Sequence, residues 1–184
     1  MLEVRQLGLD GVLEIVPKRH GDARGYFIET WNAERFAEAG IDLRFVQDNH
    51  SYSAAVGVVR GLHYQLPPRA QDKLLRVIRG KILDVAVDIR RSSKSFGKWV
   101  ALEISAEKGN QILVPKGFAH GFVTLVPDTE VLYKVTDTYS PAHDRSIRFD
   151  DPDIGIDWPS PAGAFELSAK DLKAPTLANA EVFA

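Results

Sequence analysis

From Lys81 to Ile89 the apolar residues Leu83, Val85, Val87 and Ile89 recur at every second position, with Asp84 and Asp88 between them. A period of two is the signature of a strand with one apolar face, and it is incompatible with an amphipathic helix. The pattern does not stand alone. Leu74–Ile78, Trp99–Ser105, Gln111–Val114, Phe118–Leu125 and Val131–Thr136 are further short apolar runs, and a run that begins at Val56 carries Arg60-Gly61-Leu62-His63-Tyr64-Gln65. Turn residues punctuate them at Ser95-Phe96-Gly97, Lys108-Gly109-Asn110, Pro115-Lys116-Gly117 and Pro127-Asp128. Gly80, between two of the runs, predicts a hairpin. Many short strands with regular turn signals and almost no helix predict a β-sandwich or barrel.

Upstream, Leu2–Pro17 reads as two short strands split at Asp10-Gly11. In His20–Trp31 the first half reads as loop and the second as a strand, with Phe27 and Glu29 on one face and Arg24 at its start. Arg24 and Glu29 are compatible with a solvated ion pair. Asn32 can cap a short helix over 33–39, stopped by Gly40, with Phe36 and Ala39 as its apolar side. Gln47-Asp48-Asn49-His50-Ser51 has the composition of a turn, or of a surface for a polar ligand. After Ser140 the chain is rich in Pro and Asp and predicts an ordered wrap over the strands. One domain of 184 residues follows, with N-terminal strands and helix to residue 50, a core over 51–140 and a wrap over 141–184.

A net charge of −2 argues against a general nucleic-acid binder. The absence of cysteine excludes disulfides, thiolate catalysis and iron–sulfur clusters. Glu3, Arg5 and Asp10 break the N-terminal apolar residues, which is unlike a signal peptide, and no uncharged run approaches the roughly 20 residues of a membrane span. The expectation is a soluble cytoplasmic protein.

The spacing Gly-x5-Pro-x-Gly-x2-His from Gly109 to His120 resembles the second half-motif of the cupins, small jelly-roll barrels in which that histidine faces the barrel mouth. His63 then falls in the first half-motif, where metal-binding cupins carry His-x-His. Here the second position is Gln65. A catalytic metal needs three or more good ligands, so no metal is expected. Acid–base chemistry remains. His63, with a reference pKa of about 6.5, suits a general base. Lys73 could stabilise an oxyanion, the Tyr133 phenol could deliver a proton, and Asp171 could orient the imidazole. Each has a plainer reading: a hydrogen-bonded core histidine, a surface lysine, a core ring, an acid in the first turn of a short helix.

Taken together, Asp22–Glu29, Gln47–Asn49, Arg60–Gln65, Gln71–Leu74, Pro115–Phe122, Leu132–Lys134, Leu167–Asp171 and Ala174–Leu177 resemble the dTDP-4-dehydrorhamnose 3,5-epimerases over nearly the full length. The resemblance implies a cupin-like jelly roll with one short helix, and no cofactor. It also implies His63 as base paired with Asp171, Tyr133 as proton donor, Lys73 as enolate stabiliser and His120 at the sugar. Arg24, Phe27, Glu29, Gln47, Asn49, Arg60 and Lys170 match positions that bind the nucleotide sugar. Asp144 falls where the family usually carries glutamate. Tyr139 is the alternative to Tyr133 as acid. The resemblance further implies a homodimer with exchanged N-terminal strands, so that Arg24 and Glu29 serve the neighbour's site. A relative that epimerises only C3 or C5 is the competing reading; a non-catalytic sugar-nucleotide binder and a metal-dependent oxygenase are the others. For Arg60 to reach the same cavity as His63, Gly61 must break the alternation of its strand.

Overall fold

The computed structural model describes residues 2–184. Thirteen strands and one short α-helix follow in the order β1 (Glu3–Gln6), β2 (Leu13–Val16), β3 (Arg19–Asp22), β4 (Gly25–Ile28), α1 (Ala33–Glu38), β5 (Gln47–Ser53), β6 (Val59–Gln65), β7 (Lys73–Arg79), β8 (Lys81–Asp88), β9 (Trp99–Ser105), β10 (Gln111–Val114), β11 (Phe118–Thr124), β12 (Thr129–Val135) and β13 (Asp144–Ser146). Two 3₁₀ turns, Asp171–Lys173 and Leu177–Asn179, lie in the C-terminal segment.

The strands make a six-stranded sheet in the order β1-β2-β10-β7-β12-β5 and a five-stranded sheet in the order β13-β6-β11-β8-β9, while β3 and β4 pair only with each other. All these pairings are antiparallel. Neither sheet closes on itself, so the jelly roll is an open sandwich rather than a sealed barrel.

Its core has three layers. Leu75, Ile82, Ala86, Ile104, Ile112, Phe118, Phe122 and Val131 fill the space between the sheets. Val85, Val87, Ile89, Leu62 and Val123 face outwards from the five-stranded sheet, where Ile147, Ile154, Trp158 and Leu177 cover them. The C-terminal wrap is therefore half of a hydrophobic core. Burying several such side chains stabilises by roughly 1.5–3 kcal/mol each. Phe36 of α1 and Ile41 cover Ile15, Leu74 and Leu113 on the outer face of the six-stranded sheet. Asn32 caps α1 by accepting from the Arg35 backbone N–H at 3.2 Å. The helix buries Phe36 but leaves Ala39 exposed, so its apolar side is one residue wide.

Three local expectations change. Gly80 does not turn a hairpin: β7 and β8 belong to different sheets, and Gly80 (φ 84°) carries the chain between them against Thr129. Gln47–Ser51 is not a turn but most of the edge strand β5, whose residues alternate between partly covered and exposed. His20–Asp22 is not loop but belongs to β3, paired with β4 in a hairpin that turns at Ala23-Arg24.

Candidate active site

The open end of the sandwich holds a cavity of about 580 Å³. Strands from both sheets supply its walls: Gln47, Asn49 and Ser51 from β5, Arg60, His63 and Gln65 from β6, Lys73 from β7, His120 from β11, Tyr133 from β12 and Asp144 from β13. Tyr139 lies at the rim, and Ser168, Lys170 and Asp171 descend from the C-terminal segment. Gln47, Asn49 and Ser51 lie at every second position of β5, so one side of that strand faces the cavity and is polar for that reason.

β6 brings Arg60, His63 and Gln65 to this cavity together, which strict alternation forbids. The ladder with β11 explains it. His63 pairs with His120 and Arg60 with Phe122, so β6 spends one residue more than its partner over that interval. This is a β-bulge. The extra residue is accommodated at Gly61, with φ of 142° and its Cα packed on Gly121. Arg60 is held by hydrogen bonds donated to the Tyr52 carbonyl at 2.8 Å and to Ser53 Oγ at 3.2 Å.

His63 Nε2 lies 2.5 Å from Asp171 Oδ1. Asp171 is 4% exposed. Its other oxygen accepts from Ser168 Oγ at 2.8 Å, and its backbone N–H donates back to Ser168 Oγ at 3.1 Å. Burial opposes the charge of Asp171, but the hydrogen bonds and charge of His63, with Ser168 and Lys170, outweigh it and hold the carboxyl below its ordinary range. With Nε2–H directed to a carboxylate, Nδ1 is the nitrogen free to take a proton.

Lys73 is buried and donates to the His63 carbonyl at 3.1 Å. Burial brings its amine down to about 8, against the pull of Asp84 and Asp144, while Lys170 pushes in the same direction as burial. A lysine so placed is a cation whose charge is little screened, suited to a developing oxyanion. Burial raises the Tyr133 phenol, with Arg60 opposing and Asp144 adding to the shift. At the rim, Asp144 accepts from Tyr139 Oη at 3.2 Å and pairs directly with Lys170. The Asp144 carboxylate raises the Tyr139 hydroxyl above its ordinary value. Tyr139 also donates its backbone N–H to Gln47 Oε1 at 3.0 Å, while Gln47 donates to Asn49 at 2.8 Å.

Gln65 is committed to the backbone. Its amide donates to the carbonyls of Arg69 and Thr138, and its oxygen accepts from Ser140 N–H at 2.8 Å. It fastens the loop leading to Tyr139. Among the described residues no group of three His, Asp or Glu side chains is arranged to hold a metal ion.

Arg24, Phe27 and Glu29 stand apart from this cavity in the single chain. Arg24 pairs with Asp22, Glu29 with Arg35 at 2.9 Å, and Phe27 is 69% exposed on the β3–β4 hairpin. Two residues that the sequence reading left out of the site belong to its support: Ser168, and Asp84, which lies 2.9 Å from His120 Nε2. Asp84 had a visible sign, since Ile82 and Ala86 share its face of β8 and mark that face as interior.

A family model described as dTDP-4-dehydrorhamnose 3,5-epimerase matches residues 6–179. The chain belongs to this family. A Sinorhizobium fredii protein named dTDP-4-dehydrorhamnose 3,5-epimerase is 50% identical over 94% of this chain and 88% of its own. The crystal structure of a Legionella pneumophila dTDP-6-deoxy-D-glucose-3,5-epimerase in complex with dTDP-4-keto-L-rhamnose superposes with a TM-score of 0.93 at 44% identity, covering 97% of this chain and 94% of that one. A Streptomyces niveus protein named dTDP-4-dehydrorhamnose 3-epimerase is 37% identical over 97% of this chain and 86% of its own. Both double and single epimerases are thus among the relatives of this epimerase-family chain.

Proposed function

We propose that the protein epimerises dTDP-4-dehydro-6-deoxy-α-D-glucose at C3 and C5 to dTDP-4-dehydro-β-L-rhamnose. The observation that carries this reading is the convergence of the His63–Asp171 pair, Lys73 and Tyr133 on one cavity. The C4 ketone acidifies the hydrogens on C3 and C5. His63, oriented by Asp171, takes one of them, and the imidazolium that forms lies against the carboxylate. The electron pair moves to the C4 oxygen, where the Lys73 ammonium stabilises the enolate. Tyr133 delivers a proton to the opposite face of the same carbon, inverting it. Electrons balance without a redox partner, so the reaction as written calls on no cofactor.

Arg60, Gln47, Asn49, His120, Asp144 and Lys170 surround the remainder of the nucleotide sugar in this reading. Arg24, Phe27 and Glu29 serve the cavity of a second copy, in a homodimer that exchanges the β3–β4 hairpin. The hairpin's four β4 residues are exposed or partly so, with Tyr26 63% exposed beside Phe27, which favours a partner surface. A free nucleotide sugar as substrate fits a cytoplasmic enzyme.

The 3-epimerase relative keeps a second reading open, inversion at one carbon only. Turnover of the 4-keto sugar nucleotide with a downstream reductase that traps L-rhamno product tests the first reading. A trapped product inverted at one carbon would support the second, and unchanged substrate would contradict both.

A further inference from the structure

The mechanism above gives no part to Asp84, a fully buried ionisable side chain next to the cavity's His120. Asp84 sits in β8 between Leu83 and Val85, opposite Phe122 of β11 and Leu102 of β9, with no accessible surface. A carboxylate in such a place is strongly unfavourable unless hydrogen bonds and opposite charge compensate it. Both of its oxygens lie within hydrogen-bond distance of His120 Nε2, at 3.0 and 2.9 Å.

His120 is the cross-strand neighbour of His63. The cavity floor therefore carries two adjacent imidazoles, each with Nε2 on a carboxylate of its own: His63 on Asp171 from the C-terminal segment, and His120 on Asp84 from the next strand. Asp84 also acts on Lys73. Asp84 on β8, Asp144 on β13 and Lys170 from the C-terminal segment act on that amine, which shares the cavity with His63 on β6, His120 on β11 and Tyr133 on β12. Asp84 and Asp144 both favour the ammonium, Asp84 the more strongly; burial pushes the Asp84 carboxyl itself up, and His120 and Lys73 act against that shift.

We infer that Asp84 is a positioning residue for the epimerisation: it holds His120 with Nε2 protonated and Nδ1 free for the sugar, and it supplies the counter-charge that keeps Lys73 an ammonium. This rests on the epimerase reading. Asp84 touches no substrate itself, since it is sealed beneath the cavity, and its effect passes through His120 and Lys73. Burial brings the Lys73 amine down to about 8 while Asp84 opposes that shift, so loss of the carboxylate moves the amine lower still. The ammonium then disappears at a lower pH.

The test is Asp84→Asn in the full-length enzyme, compared with wild type over a pH series. The expected result is a fall in kcat of roughly tenfold or more with KM for the nucleotide sugar changed by less than about twofold. The alkaline limb of kcat is expected to move down by about one pH unit or more. A folded variant whose alkaline limb stays in place would overturn the inference, because a purely structural carboxylate has no reason to move it. Wild-type enzyme provides a second test that does not depend on the folding of Asp84→Asn. Imidazole ¹⁵N NMR, with the His120 signals identified by their loss in His120→Gln, is expected to show Nε2 protonated and Nδ1 bare. The opposite tautomer would overturn the assignment. Failure of wild type to turn over the 4-keto sugar would count against the epimerase reading, and the tautomer would still decide where Asp84 acts.

Discussion

Arg60 and His63 share one face of β6 although they lie three positions apart, because the strand gains a residue against β11 at Gly61. The cation and the imidazole therefore depend on a backbone irregularity that only glycine accommodates. A Cβ at position 61 would stand 2.5 Å from the Gly121 Cα and 3.0 Å from the His120 carbonyl, on a backbone with φ of 142°. Gly61→Ala is expected to destabilise the fold by about 3 kcal/mol or more, through strain at positive φ and overpacking together. Urea unfolding measures this. Any folded variant should have lost activity disproportionately, since the bulge aims Arg60 as well as the base.

Asp171 acts on His63 through a single 2.5 Å contact and is itself fixed by Ser168. Asp171→Asn keeps the shape but lets the amide present a donor to Nε2, which favours the wrong tautomer. A loss in kcat on the order of 10³-fold is expected, with KM little changed. Steady-state kinetics checks it. Ser168→Ala should fall in the same direction and by less, because the His63 contact survives.

Lys73 links activity and stability with opposite signs. Its amine titrates at about 8 in the folded protein and has an ordinary value of 10.5. Turnover that needs the ammonium is present below about 8 and lost above it. Between the two values the unfolded chain holds the proton and the folded chain does not, so this group's contribution to stability rises with pH across that window. At neutral pH the buried charge is therefore a cost. Lys73→Met is expected to abolish turnover and raise stability by about 1–3 kcal/mol, less any penalty from leaving Asp84 without its counter-charge. Thermal denaturation at pH 7, beside activity, tests both halves.

Hairpin exchange is testable by complementation. Arg24→Ala and His63→Ala homodimers should each be inactive or nearly so. Subunits mixed after unfolding and refolding should recover about a quarter of wild-type activity, because half the dimers are mixed and each has one intact site. No recovery, with mixed dimers present by native mass spectrometry, would place Arg24 in its own chain's site.

Much of the fold was legible because it rests on local signals. Alternation over Lys81–Ile89 marked a strand, and Asn32 with Gly40 bounded the helix. What escaped was partnership between strands. Leu74–Ile78 and Lys81–Ile89 flank a glycine as a hairpin would, and nothing local says that the second strand belongs to the other sheet. Gln47–Ser51 looked like a turn because an edge strand facing solvent on one side and a polar cavity on the other has no apolar face to display. The site was half legible for the same reason. His63 and Asp171 lie 108 positions apart, so their convergence is a property of the fold. The face of β8 that carries Asp84 read as the polar side of a strand, whereas it packs against the opposite sheet.

The most direct measurement follows hydrogen exchange in the substrate itself. The enzyme is incubated with dTDP-4-dehydro-6-deoxy-α-D-glucose in D₂O, and C3 and C5 are observed by NMR. Deuterium at both carbons in wild type, and at neither in His63→Ala with its fold intact, is the expected result. No exchange in wild type, or near-normal exchange in His63→Ala, would contradict the assignment of His63 as the base of a double epimerase.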